Sequence, residues 1–164
     1  MRRSISHATR DCGLFHGTID QNFKLAAPGL SSEDISETLR SLALETTVEN
    51  LPEGQNTRLN RATLDALSEA EKNLIRLARS VARKASIYLF SEPTLGLETA
   101  QRDAFKAWLK AHAGKHTILL ASADRSLADF ADRFIVIEQG RIIVNDTGAN
   151  GRKKLQTAMN AAKG

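Results

Sequence analysis

The stretch Ile87-Tyr88-Leu89-Phe90-Ser91-Glu92-Pro93-Thr94-Leu95-Gly96-Leu97-Glu98 decides the fold. Ile87 to Phe90 run without a polar break, as in a strand buried on both faces of a parallel sheet. The run stops at Ser91-Glu92-Pro93. Pro93 has no N–H and does not continue a central ladder. A carboxylate just past the C-terminal end of a buried strand stands where open α/β sheets bind ligands. A core strand leaving through a polar turn explains the same residues equally well.

Working outward, Thr117 to Ala121 is a second apolar, buried-type strand. Between the two, Thr99 to Ala113 reads as a helix with Phe105, Trp108 and Leu109 facing the core and Gly114 at its C-terminal cap. On the other side, Leu67 begins a helix. Ser68 and Glu71 have capping-box spacing, and Ala70, Leu74, Leu77, Ala78, Val81 and Ala82 form one apolar face. Further upstream, Pro28-Gly29 breaks the chain. Ser31 with Asp34 approximates a capping box, and Ile35, Leu39 and Leu42 predict a helix over Ser32 to Leu44. Leu51-Pro52-Glu53-Gly54 is a turn. Arg3 to Ala8 is a short strand candidate. Asp124 to Ala131 suits about two helical turns, by the repeat of an α-helix. Phe134 to Glu138 and Arg141 to Val144 form a hairpin around Gln139-Gly140, where positive φ is needed.

The 164 residues suffice for one sizeable core, and 41% hydrophobic with 26% charged residues is ordinary for a globular protein. No apolar run approaches a membrane span. Met1-Arg2-Arg3 has no apolar segment after it, so a secretory signal is not expected. The single cysteine, Cys12, forms no internal disulfide and fits a reducing cytoplasm as a small apolar filler. His7, His16, His112 and His116 are read as showing no paired metal spacing, and no metal ligand is assigned. Arg152, Lys153, Lys154 and Lys163 carry much of the net charge of +4. They are expected in a solvated basic tail over residues 149–164, and no nucleic-acid partner is expected.

The Ile87–Glu98 stretch resembles the Walker B and D-loop of ABC transporter ATPases, where four apolar residues lead into Asp-Glu-Pro-Thr-Ser-Ala-Leu-Asp. The resemblance runs from about Arg2 to Gly148 and is strongest to the exporter branch. Leu14, Phe15, Gly17, Thr18, Ile19 and Asn22 coincide with the exporter row Leu-Phe-Ser-Gly-Thr-Ile-Arg-Glu-Asn-Ile, which faces the membrane domain. Leu51 to Gly54 and Thr57 match Leu-Pro-Glu-Gly-Tyr-Asp-Thr. Thr117 to Val136 pairs without a gap with the exporter H-loop row, sharing Ala131-Asp132-Arg133. This implies an α/β fold, a partial P-loop NTPase of the ABC ATPase kind. Its mainly parallel sheet would be flanked by helices on both faces, with a helical subdomain inserted at about residues 19–83 and the domain spanning 1–148. It also implies ATP and Mg²⁺ as cofactors. A transmembrane domain or a second nucleotide-binding domain would be the partner, at the cytoplasmic face of the inner membrane.

The same resemblance fails where the family does chemistry. No Gly-x-x-x-x-Gly-Lys-Ser/Thr occurs on a strand–loop–helix, so the chain is read as truncated before the Walker A strand. The Q-loop Gln aligns with Arg10, which offers neither a metal ligand nor an acceptor. The Leu-Ser-Gly-Gly-Gln helix start aligns with Leu67-Ser68-Glu69-Ala70-Glu71. Its two carboxylates cap a helix well and repel a phosphate. The Walker B Asp aligns with Ser91, which supplies no charge for Mg²⁺. Glu92 aligns with the catalytic base, Glu98 with the D-loop Asp, and the H-loop His with Ala123. The expectation is therefore an exporter-type ATP-binding domain that neither binds ATP tightly nor hydrolyses it alone. The alternatives are a non-catalytic module docking on a membrane domain or intact ATPase, and an ATPase completed in trans with Glu92 as base.

Overall fold

The computed structural model describes residues 5–9 and 12–161. The chain divides into two compact units, one ending at Ala123 and one beginning at Asp124.

In the first unit, β1 (Ile5–Ala8) leads to a short β2 (Gly17–Thr18) and α1 (Ile19–Ala26). Then come α2 (Ser32–Ser41), α3 (Glu45–Glu49), β3 (Arg58–Leu59), α4 (Arg61–Ala66) and α5 (Glu69–Ala82). The unit closes with β4 (Ile87–Ser91), α6 (Thr99–His112) and β5 (Thr117–Ala121). The capping boxes expected at Ser31 and Ser68 are formed, and a further, unforeseen one begins α1 at Thr18. The helix expected to reach Leu44 ends at Ser41, because the chain reverses through Ala43 at φ +54°.

Strands β1, β4 and β5 form a three-stranded parallel sheet with β4 central. Register puts Ser6 beside Tyr88 and Ala8 beside Phe90, so these four share a face. That face carries the core. Phe90 meets Phe105 edge-on at 5.4 Å, and Tyr88 meets Trp108 at 5.0 Å, so α6 packs there. Ser6 Oγ donates to Ser80 O at 2.7 Å, which brings α5 to the same side. The sequence reading clothed both faces; the structure instead puts α5 and α6 on one. On the other face His7 is exposed and Leu119 is 58% exposed. An all-apolar parallel strand open on one face is unusual. The helical lobe has its own core of Ile19, Phe23, Ile35, Leu39 and Leu59.

In the second unit, the helical turns expected over Asp124 to Ala131 are a 3₁₀ segment (Arg125–Phe130). An antiparallel hairpin follows, β6 (Arg133–Glu138) and β7 (Arg141–Thr147), turned at Gln139 (φ +47°) and Gly140 (φ +75°). Within the basic segment expected from residue 149, Gly148–Ala161 forms a helix, α7. It lies close on the hairpin at Gly151, where a Cβ would come within 2.7 Å of Phe134 Cδ2 and 2.8 Å of Asp146 O. Its cations are also less free than the sequence suggested, since Lys154 Nζ pairs with Asp146 at 2.8 Å and Arg152 with Asp129. Among the described residues, no helix is long and apolar enough to cross a membrane.

Candidate functional site

The C-terminal ends of β4 and β5 bring Ser91, Glu92 and Ala123 together. Ser91 pairs with Ala121 at the last position of the ladder. The chain then leaves β4 through Glu92, a non-glycine residue at φ +48°. This reversal is held from three directions. Glu92 N–H donates to Ala121 O at 2.7 Å. Ser122 Oγ donates to Glu92 Oε2 at 2.9 Å, and Ala123 N–H donates to Oε1 at 3.0 Å. The carboxylate therefore ties the end of β4 to the end of β5. Ser122 is a partner that the sequence reading missed. Its position one residue before Ala123 was the available signal.

The loop from Pro93 to Glu98 is fixed against the start of α5. Gly96 adopts φ +77°, and a Cβ there would come within 2.7 Å of Ala70 Cβ. Asn73 Nδ2 donates to Leu95 O at 3.0 Å. Glu98 ends the loop as the N-cap of α6, its N–H donating to Gln101 Oε1 at 3.0 Å. At the α5 start, Ser68 Oγ accepts from Glu71 N–H at 3.2 Å, while Ser68 N–H donates to Glu71 Oε2 at 2.8 Å. Glu69 pairs with Lys72 at 2.9 Å and reaches Arg76 at 3.8 Å. Glu71 thus caps α5, and ion pairs join Glu69 to Lys72 and Arg76 of the same helix.

Arg10 lies outside the described residues. The segment after it is clamped by two arginines of α5 that the sequence reading did not single out. Arg76 Nε donates to Cys12 O at 2.9 Å and Arg79 NH1 to Gly13 O at 3.0 Å. Arg79 is only 8% exposed, with its guanidinium 5.5 Å from the Phe15 ring centre. Burial pushes this guanidinium below its ordinary value; Cys12 opposes that and Arg76 reinforces it. Buried Asn22 accepts from Phe15 N–H at 2.8 Å and donates to Phe15 O and Thr18 O, both at 3.0 Å. Gly17 leaves room for the Gln21 side chain, since a Cβ there would come within 2.7 Å of Gln21 Oε1. Matching residues over Leu14–Asn22 thus build one tight loop.

No family model matches the chain. Curated relatives are similar over most of its length. The ABC transporter ATP-binding protein YwjA of Bacillus subtilis, described as uncharacterised, is 31% identical over 86% of the chain and 25% of the relative. The mycobactin import ATP-binding/permease protein IrtB of Mycobacterium tuberculosis is 29% identical over 79% of the chain and 22% of the relative. A solved bacterial Atm1-family ABC exporter with ATP bound superposes with a TM-score of 0.82 at 26% identity, over 99% of the chain and 28% of that protein.

The homologues of this chain are ABC transporter ATP-binding proteins. The chain spans 10% to 25% of the length of the curated relatives it matches. The end of β4, the 93–98 loop and the start of α5 are three backbone features of this chain. The backbone of each is formed; the polar side chains described there bond to the chain itself.

Proposed function

We propose that the chain takes the position of an ATP-binding domain in an exporter-type ABC assembly and contributes no hydrolysis of its own. The observation that carries this reading is the engagement of Glu92. A general base must reach the attacking water, and both oxygens of Glu92 already accept from Ser122 and Ala123. Phosphoryl transfer further depends on cations and donors that hold the phosphate in line. At the aligned positions Ser91 offers no charge and Ala123 no side-chain donor. The capping carboxylates at the α5 start are of the wrong sign for phosphate. On this reading Mg-ATP binds the isolated chain weakly, and the partner is a transmembrane domain or a second ATP-binding domain at the cytoplasmic membrane face.

A second reading, a non-catalytic docking module, draws support from Phe15, 51% exposed on the loop that Asn22 fixes, and from the open face at Leu119. Completion of an ATP site in trans, with Glu92 as base, is the third. The test is phosphate release by a reconstituted complex containing an intact ABC ATP-binding domain, with and without Glu92→Gln. Turnover should stay within about twofold, a barrier change of roughly 0.4 kcal/mol. A fall of about a hundredfold, the scale of a lost general base, would assign Glu92 a catalytic role and replace the first reading with the third.

A further inference from the structure

We propose that His112 and His116 form a two-histidine site for a divalent transition-metal ion of the Cu²⁺, Ni²⁺ or Zn²⁺ type. The sequence reading ends α6 at Ala113 and finds no paired metal spacing among the four histidines. In the structure the chain turns back at Gly114 (φ +75°), and the N–H groups of Lys115 and His116 both donate to His112 O, at 3.1 and 3.2 Å. The two rings are left with centroids 5.5 Å apart and planes 34° from parallel. Imidazoles sharing an ion at metal–nitrogen distances of about 2.0–2.1 Å have centroids roughly 5 Å apart. A small side-chain rotation therefore brings both to one ion.

The tautomer of His112 is set by its own helix. His112 Nδ1 lies 2.8 Å from Trp108 O. A carbonyl only accepts, so Nδ1 carries the proton and the Nε2 lone pair is left for a ligand. Among the described residues no hydrogen bond occupies the ring nitrogens of His116. Both rings line an open cavity of about 710 Å³ whose other wall includes Asp34 and Glu37 of α2. These carboxylates are engaged by Ser31 and Arg40, so they attract a cation without ligating it. Lys84 on the same rim opposes them. Among the described residues no group of three or more His, Cys, Asp or Glu side chains is arranged to hold a metal. Water then completes the coordination shell, as in an open, exchangeable site. Cu²⁺ binds such a nitrogen pair tightest in the divalent series.

Trp108, the only tryptophan, stacks on His112 at 4.1 Å and reports directly on the site. CuCl₂ added to the purified chain should quench its emission with one-to-one saturation in the micromolar range. His116→Gln should weaken binding by about tenfold or more, whereas His7→Gln and His16→Gln should leave it unchanged. Long-range ¹H–¹⁵N spectra of the unaltered chain with Zn²⁺ give a second measurement that needs no variant. Nε2 of His112 should shift while Nδ1 keeps its proton. Quenching that needs millimolar Cu²⁺, quenching unaltered by His116→Gln, or His112 nitrogen resonances unmoved by Zn²⁺ would each overturn the proposal.

Discussion

At Glu92 two local terms oppose each other. A non-glycine residue in the left-handed region costs about 1–2 kcal/mol. The carboxylate accepts two hydrogen bonds, each of the charged kind that contributes about 1.5–3 kcal/mol. The bonds outweigh the strain, so Glu92→Gly should destabilise the first unit although it relieves the backbone. Gln can accept from Ala123 N–H and donate to Ser122 Oγ, so Glu92→Gln should melt close to the unaltered chain. Thermal melts of both variants check this, and a more stable Gly variant would mean that the carboxylate holds nothing. Gly96 has no such compensation. Gly96→Ala adds the same left-handed cost of about 1–2 kcal/mol and drives a methyl against Ala70 Cβ. Its midpoint in a urea titration should fall clearly, and an unchanged midpoint would contradict the packing of this loop on α5. The identities of these residues were legible in the sequence. The engagement of Glu92 was not, because it depends on a backbone reversal that brings Ser122 and Ala123 within reach.

The elements were read well where periodicity and caps coincide. α6 begins and ends within a residue of its expected bounds, and α5 begins within two residues of its expected start, since Ser68, Glu71 and Gly114 mark them chemically. Strands β4 and β5 were legible from uninterrupted apolar runs. α3, α4 and the α7 helix were missed, being short or built from residues without a clear apolar stripe. α7 is instead defined by the close approach at Gly151 and by ion pairs to Asp129 and Asp146. The start of α5 yields a direct test. If Glu69 and Glu71 serve the helix alone, Glu69→Gly with Glu71→Gln should lower the melting temperature and leave capture by an intact ABC ATPase unchanged. Stronger capture would mean that these carboxylates face a partner's phosphate. Acid should loosen two other elements. Asp34 is held below its ordinary 3.8 first by the Ser31 hydroxyl and then by the Ser31 N–H. Asp146 is held below it first by the bond from Lys154 and then by Thr147 N–H. A carboxylate lowered on folding stabilises above its unfolded value, and that contribution is lost as pH falls through the lowered one. Helicity followed by circular dichroism should therefore decline below pH 3.8, the ordinary value, and Asp146→Asn should flatten part of that decline. An identical acid limb in the variant would remove Asp146 from the explanation.

At the scale of the whole molecule, the fold resembles that of a solved ABC exporter, while Ser68, Glu71 and Glu92 bond within the chain. The parallel sheet adds a physical consequence. Leu119 stands 58% exposed on an edge strand whose outer backbone groups find no strand partner among the described residues. Such an edge favours association, so light scattering by the purified chain should rise with concentration and Leu119→Lys should suppress the rise. Monodisperse behaviour at all concentrations would show that the edge is protected. The most direct measurement of the central claim is calorimetric titration of the purified 164-residue chain with Mg-ATP. The account predicts a dissociation constant no tighter than about millimolar, near −4 kcal/mol; saturable micromolar binding would contradict it.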